Sequence, residues 1–129
     1  MNTRMTGFGF VLLSVLGLCS AQVLFKHRFE LYGSIPLSAE IGAYLLVVAK
    51  DIWLLIAACC MLISSLSWYM GLSRLPLSLA SPMTSLAYPV ILIASFSVLS
   101  EPISVEKVVG NVFIVVGILL NTIRFRLGR

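Results

Sequence analysis

The chain has 129 residues, of which 60% are hydrophobic and 11% charged, and its net charge is +4. Soluble domains carry about twice this charged fraction, so the composition excludes an ordinary water-soluble domain and indicates a small integral membrane protein. The basic residues stand at the ends of apolar segments rather than in one block, which argues against nucleic acid as a partner. The sequence contains no nucleophile elbow, P-loop or metal-ligand spacing, so we expect neither an enzyme nor a cofactor or metal site.

The first apolar segment predicts a membrane helix at about 6–25, long enough to cross a hydrocarbon core of about 30 Å. No small-x-small cleavage site follows it before Lys26, so we interpret it as a retained helix rather than a signal peptide. The segment ends in QVLFKHR, where Gln22 and Lys26 are one turn apart and share a face. From the residues alone, Lys26 is either a snorkelling helix end or a cation that receives an anionic headgroup.

The apolar residues at 41–49 are too few to cross the membrane. We expect 38–50 to form either a short helix or a lengthened helix end near the interface, with Ser38 as a possible cap. Asp51 suits the N-cap of a second spanning helix at about 52–72. Near the end of this helix, Trp68 and Tyr69 are either belt residues at the membrane surface or the aromatic wall of a binding cavity.

A third spanning helix is predicted at about 77–99, with Pro82 and Pro89 inside it. Each proline removes one helical hydrogen bond, and the freed carbonyl group needs another partner or a wet cavity within the membrane. A polar stripe falls at helical spacing along this helix. It consists of Ser78, Ser81, Ser85 and Tyr88. The helix is therefore either kinked and packed against its neighbours or the lining of a polar passage.

The third helix should end near Ser100, because Glu101 precedes a proline and is biased towards extended geometry. A fourth spanning helix is predicted at about 105–123, with Ser104 as its N-cap. One face of this helix carries Gly110, Gly117 and Asn121. Small residues on one face let two helices approach closely, so this face is either a dimer interface or a packing surface within the chain.

The distribution of basic residues favours a topology with both termini in the cytoplasm. Arg4, Arg74 and the C-terminal RFRLGR sequence lie on that side, whereas Lys26, Arg28, Lys50 and Lys107 lie on the other. The difference is small, so insertion in both orientations is the alternative.

Residues 67–120 resemble the drug/metabolite transporter superfamily through LPLSLASP and AYP in the third helix and EPIS before a glycine-bearing fourth. AQVLFKHR resembles the end of the first helix in that superfamily. With four spans in so short a chain, the protein resembles the smallest members of the superfamily, which are of small multidrug resistance-like or EamA-like type. Within these, the chain is most similar to flippase subunits for 4-amino-4-deoxy-L-arabinose-phospho-undecaprenol. The resemblance implies an all-α bundle of four membrane helices that forms a homodimer, or a heterodimer with a related small subunit, in the bacterial inner membrane.

The four-helix drug/proton antiporters of this superfamily depend on a carboxylate in the middle of the first helix. Residues 6–25 contain no Asp or Glu, and the polar residues that close this segment suit a phosphate better than a cation. The resemblance therefore implies a flippase for a polyprenyl-phosphate-linked (amino)sugar. Its expected substrate-binding residues are Lys26, Gln22, Arg28, Ser81, Ser85, Tyr88, Trp68, Tyr69 and Glu101.

Among these residues, Lys26 is expected to contact the phosphate and Arg28 to attract it at the membrane surface. Glu101 is expected to pair with Lys26 or with the amine of an amino-sugar. One alternative is an exporter of small cations or metabolites, for which Glu101 is the only candidate coupling acid. Another is a non-transporting subunit that anchors a glycosyltransferase.

Overall fold

A computed structural model describes residues 3–33 and 41–127, with side chains as far as residue 123. The helices are α1 Thr3–Tyr32, α2 Ile41–Ala49, α3 Ile52–Leu72, α4 Leu77–Thr84, α5 Ala87–Leu99 and α6 Val105–Leu127. Four segments have the length and composition of membrane spans: α1, α3, α4 with α5, and α6 as far as Ile123. The predicted all-α membrane fold, with a short helix in the first loop, is confirmed. The proposed cap at Ser38 lies outside the described residues.

α1 continues to Tyr32, beyond the predicted end at residue 25. The extra turns are stabilised locally, because Phe25 and Phe29 stack with ring centroids 6.0 Å apart. Gly33 ends the helix with a φ of 74°, and its N–H donates to the Phe29 carbonyl at 3.1 Å. A helix of 30 residues is about 45 Å long, so α1 exceeds a hydrocarbon core of about 30 Å.

α1 and α3 run antiparallel and meet through small residues at heptad spacing. These buried residues are Gly7, Ser14 and Ala21 on α1, and Ala57, Ser64 and Gly71 on α3. The Ser64 hydroxyl donates to the Ser14 carbonyl at 2.5 Å. A Cβ on Gly71 would lie 2.7 Å from Cγ2 of Val11 and 3.5 Å from the Gly7 carbonyl oxygen. Since apolar side chains gain nothing by leaving lipid, close packing and hydrogen bonds hold this pair together. We call this contact the α1–α3 seam.

An apolar cluster lies where α4 packs on the N-terminal half of α1. Its buried members are Val11, Leu75, Leu79, Ala80 and Met83, and Phe8, Trp68 and Leu72 pack around it. The cluster holds the beginning of the third span against the α1–α3 seam.

The third span, Leu77–Leu99, is confirmed as a span, but it consists of two helices rather than the single helix that the sequence predicted. Pro89 has no N–H to donate to the carbonyl of Ser85. That carbonyl instead accepts the N–H of Tyr88 at 3.1 Å, which tightens the chain into a turn at Ser85 and Leu86. The second proline therefore separates α4 from α5.

α5 ends at the predicted position. Ser100 adopts a left-handed conformation with a φ of 53°, and the N–H of Glu101 donates to the Ser95 carbonyl at 3.2 Å. The predicted cap of α6 is also present, because the Ser104 hydroxyl accepts the N–H of Lys107 at 3.4 Å.

α6 packs on α4 and α5 along one side only. Among its described side chains, only Ile118 is buried, and most of its large apolar side chains are exposed. A Cβ on Gly110 or Gly117 would meet no atom within 4 Å. The monomer therefore leaves the small-residue face of α6 uncovered.

The α1–α3 seam predicts a position-specific effect of a large side chain. Gly71→Leu should lower the free energy of unfolding by about 1–3 kcal/mol, because the new side chain must displace Val11 or separate the helices. Unfolding in mixed micelles of rising sodium dodecyl sulfate fraction measures this change. The matched control is Gly9→Leu on α1, where a Cβ meets nothing within 4 Å. Equal destabilisation by both variants would contradict the seam.

Candidate functional site

An ion pair joins α1 to the segment after α5. The ammonium of Lys26 contacts the carboxylate of Glu101, and Glu30 lies 3.9 Å from the same ammonium. The Lys26 and Glu101 side chains are 47% and 31% exposed. Ion pairs this accessible add little to stability. The pair is therefore open to exchange with a charged ligand rather than a rigid structural clamp.

A polar groove lies one turn further into the membrane from Lys26. It has a volume of about 330 Å³ and is lined by Gln22 and Leu18 of α1 and by residues at the α4–α5 turn. Thr84, Ser85 and Tyr88 supply its hydroxyl groups. The proline-induced turn thus opens polar side chains towards α1 where a continuous helix would present a closed surface. We call this the Gln22 groove.

A second cavity of about 400 Å³ lies between α5 and α6. Its polar lining consists of Tyr88, Ser95, Glu101, Glu106, Lys107 and Asn111. Tyr88 borders both this cavity and the Gln22 groove. A polar path therefore runs from the Lys26–Glu101 pair, past Tyr88, to Gln22.

Asn111 was missed by the sequence reasoning. Its Nδ2 donates to the Lys107 carbonyl at 2.8 Å, whereas its buried Oδ1 has no partner among the described residues. An unpaired amide oxygen is costly in a membrane span, so it is a natural acceptor for a ligand hydroxyl or amine. The signal was present in the sequence, since Asn111 is an amide inside an apolar span, as Gln22 is.

The structure brings together only part of the expected site. Lys26, Glu101, Gln22, Ser85 and Tyr88 lie along the polar path. Ser81, which is exposed, lines neither the Gln22 groove nor the cavity beside it.

Trp68 and Tyr69 lie apart from this path. Trp68 packs against the apolar cluster around Val11, and Tyr69 is 73% exposed on the outer surface. Because α3 runs antiparallel to α1, its C-terminal end lies beside the N-terminal half of α1, far from Lys26. This position suits the belt residue that the sequence left as one alternative for Tyr69.

Arg28 lies in a separate cluster around Asp51, whose side chain is only 2% exposed. Nε and Nη2 of Arg28 donate to Oδ2 of Asp51 at 2.8 and 2.5 Å, and the Tyr32 hydroxyl donates to the same oxygen at 2.5 Å. Oδ1 accepts the N–H groups of Trp53 and Leu54 at 2.8 and 3.4 Å, which confirms Asp51 as the N-cap of α3. The Arg28 guanidinium thus fastens α1 to the start of α3.

The same contacts set the ionisation of Asp51. The hydroxyl of Tyr32 is the largest influence, and the guanidinium of Arg28 and two backbone N–H groups add to it. Together they lower the pKa of Asp51 from 3.8 to about 2, against a smaller opposing effect of burial. A carboxyl group whose pKa is lower in the folded state stabilises the fold above its unfolded pKa and loses that contribution as the pH falls.

The Asp51 cluster therefore predicts an acid-dependent loss of stability. The melting temperature in detergent should fall as the pH drops from 3.8 to about 2, the window set by the two pKa values of Asp51. Asp51→Asn should melt lower than wild type at neutral pH and lose this pH dependence. Glu30→Gln, which removes an exposed carboxylate at the same end, is the control. An unchanged pH profile in Asp51→Asn would contradict the assignment.

Four apolar spans, with a polar path along α1, α5 and α6 and an accessible ion pair at its end, are typical of a small multi-pass membrane transporter. The chain belongs to the EamA-like transporter family of the drug/metabolite transporter superfamily, whose sequence profile matches residues 3–123. The resemblance drawn from the sequence is therefore confirmed. No solved structure matches the chain.

Three relatives carry names that describe a lipid flippase. The chain is 34% identical over 122 residues to the probable 4-amino-4-deoxy-L-arabinose-phosphoundecaprenol flippase subunit ArnF of Enterobacter sp. (strain 638), covering 90% of this chain and 94% of the relative. It is 30% identical over 123 residues to the probable ArnF subunit of Aeromonas salmonicida (strain A449), covering 92% of this chain and 80% of the relative. It is 29% identical to the probable ArnE subunit of Pseudomonas savastanoi pv. phaseolicola, covering 86% and 87%.

Proposed function

We propose that this chain is a subunit of a flippase for an undecaprenyl-phosphate-linked amino-sugar, such as aminoarabinose, in the bacterial inner membrane. The transported lipid would serve envelope and lipopolysaccharide modification. The names of three relatives support this substrate class. The observation that carries the proposal is the accessible Lys26–Glu101 pair, whose carboxylate lines the cavity that adjoins the Gln22 groove at Tyr88.

The charges of the pair match those of the proposed headgroup. A sugar phosphate linked to a lipid carries a negative charge, and an amino-sugar adds a positive one. In the proposed mechanism, the phosphate replaces Glu101 as the partner of Lys26. The released Glu101 carboxylate then accepts the amine of the sugar, so no charge is left unpaired at the membrane edge.

The groove supplies the remaining polar contacts of this mechanism. The amide of Gln22 and the hydroxyls of Ser85 and Tyr88 are positioned for the sugar hydroxyls. The polyprenyl tail stays in lipid outside the bundle, because the groove is too small for it. Arg28, Ser81, Trp68 and Tyr69, which the sequence analysis also expected to bind substrate, do not line the grooves used in this mechanism.

The topology favoured by the basic residues completes the proposal. With both termini in the cytoplasm, α1 ends on the periplasmic side, and Lys26 and Glu101 lie at that face. The headgroup would therefore be held at the periplasmic end of the path.

Lys26→Gln should reduce flipping at least about tenfold, since it removes a charge-assisted hydrogen bond to the phosphate. The measurement is labelling of the sugar amine at the cell surface by a reagent that does not cross the membrane, in cells that lack the gene and carry a plasmid copy. Lys50→Gln is the matched control, because Lys50 is exposed outside the spans.

The variant Glu101→Gln tests whether Lys26 binds phosphate or only forms a structural ion pair with Glu101. If Lys26 binds phosphate, this variant should bind sugar-free undecaprenyl phosphate more tightly than wild type, because the competing carboxylate is gone. If Lys26→Gln fully restored surface labelling in cells that lack the gene, Lys26 would have no part in the mechanism. Unchanged surface labelling in cells lacking the gene would rule out the substrate class.

We further propose that the uncovered face of α6 packs on a second subunit, either another copy of this chain or a related small subunit. The face carries Gly110, Gly117 and Asn121, and small residues of this kind allow close contact between membrane helices. Two subunits also enclose more space for a headgroup than four spans alone.

Disulfide crosslinking tests the α6 contact. In a background with Cys19, Cys59 and Cys60 replaced by alanine, Gly117→Cys should form a disulfide-linked dimer in membranes under mild oxidation. Leu62→Cys, on the outward face of α3 and 67% exposed, should not. The reverse pattern would place the interface on α3. Expression with and without a related subunit distinguishes a heterodimer from a homodimer.

A further inference from the structure

A third groove lies at the opposite end of the protein from Lys26, where α1, α4 and α6 meet. It has a volume of about 520 Å³, larger than the Gln22 groove. Phe8, Leu75 and Leu79 are among its apolar lining residues, and Arg4 and Thr122 supply its polar groups. We call it the Arg4 groove. Its composition combines an apolar wall with a guanidinium, which is the chemistry that an anionic lipid requires.

Arg4 and Lys26 lie towards opposite ends of α1, which is one continuous helix, and on nearly the same face of it. At about 1.5 Å per residue they are about 33 Å apart along the axis, close to the hydrocarbon thickness of about 30 Å. At about 3.6 residues per turn they are only about 40° apart around the axis. The same face of α1 therefore presents one cation to each headgroup layer of the membrane.

The two ends are separated by packed side chains in this structure. Val11, Val15, Leu79 and Met83 are all buried, and each is at most 7% exposed. The Cys19 thiol approaches the Ala87 carbonyl at 3.7 Å between α1 and α5. The Arg4 groove and the Gln22 groove are therefore two separate sites and do not form one continuous channel.

The other arginine described at this end is already engaged. Nη1 of Arg74 donates to the Met70 carbonyl at 2.7 Å, and its guanidinium carbon lies 4.9 Å from the centre of the Phe10 ring. Arg4, in contrast, is exposed and borders the groove. Arginine binds phosphate oxygens through two parallel N–H groups, which suits a phosphate better than a single ammonium does.

We propose that the Arg4 groove is a second binding site for a polyprenyl phosphate, at the membrane face opposite Lys26. The Arg4 guanidinium binds the phosphate, and the first isoprene units lie along Phe8, Leu75 and Leu79. The Thr122 hydroxyl lies at the same groove and is available to the headgroup. This inference rests on the proposed flippase function. It adds a site for the same lipid phosphate in the other leaflet.

Photocrosslinking of the full chain in phosphatidylethanolamine nanodiscs tests this site. The probe is undecaprenyl phosphate with a diazirine on the isoprene unit next to the phosphate, and adducts are mapped by mass spectrometry. Wild type should give two sets of adducts, one near Phe8 and Leu75–Leu79 and one near Gln22. Arg4→Gln should lower the first set about tenfold, as expected for losing a hydrogen bond to a charged group, and leave the second unchanged.

Arg74→Gln is the matched control, because it removes an equal charge from the same end and should leave both sets unchanged. Each variant must also keep the thermal transition of wild type in detergent. Absence of the first set in wild type, or its persistence in Arg4→Gln, would overturn the proposal. The proposal would also be overturned if an equimolar amount of phosphatidylglycerol abolished the first set of adducts, because the groove would then bind any anionic lipid.

The two proposals fail in different ways. Failure of the flippase proposal appears as normal surface labelling in cells lacking the gene, or as full rescue by Lys26→Gln. Failure of the second site appears only in the adducts near Phe8. Lys26→Gln should lower the yield of adducts near Gln22 and leave the yield near Phe8 unchanged. The two sites are therefore tested independently.

Discussion

The α1–α3 seam is the contact on which the rest of the structure depends. Lipid provides no hydrophobic force to bring two helices together, so their association requires close backbone approach and hydrogen bonds between them. Small residues at heptad spacing provide the approach, and Ser14 and Ser64 provide the hydrogen bond. The Arg28–Asp51 contact closes the seam at one end and fixes the register of the two helices. That register places Lys26 opposite Glu101 and gives α4 a surface on which to pack.

The polar path exists because the third span is irregular. Pro89 costs a helical hydrogen bond, and an unpaired carbonyl group in lipid is costly. The chain recovers that bond by tightening at Ser85, and the resulting turn directs hydroxyl groups towards Gln22. A straight helix of the same composition would bury its backbone polar groups completely but would offer α1 no polar groove. The irregularity and the candidate site therefore have the same origin.

Local signals in the sequence predicted most of the fold, whereas long-range partners escaped it. The four spans, the caps at Asp51 and Ser104 and the end of α5 near Ser100 depend on composition and on neighbouring residues, so they were predictable. The pairing of Arg28 with Asp51 was not, because it depends on how α1 and α3 align. The packing of Trp68 in the apolar cluster was not predictable for the same reason, because the sequence shows that the residue is aromatic but not which residues surround it. The spacing of Gly7, Ser14 and Ala21 was readable, but it does not reveal the helix that it contacts.

The tightness of the α1–α3 seam has a mechanical consequence. Gly71 has no room for a Cβ beside Val11, and the ends of the seam are fixed by buried contacts, so α1 and α3 cannot slide past each other without breaking them. The two helices should therefore move together as one unit. α6, in contrast, rests on its neighbours along one side, and the third span contains a turn at Ser85 and Leu86. Any relative movement of the helices is therefore expected in α5 and α6, beyond the proline-induced turn, because the apolar cluster keeps α4 packed against the α1–α3 pair.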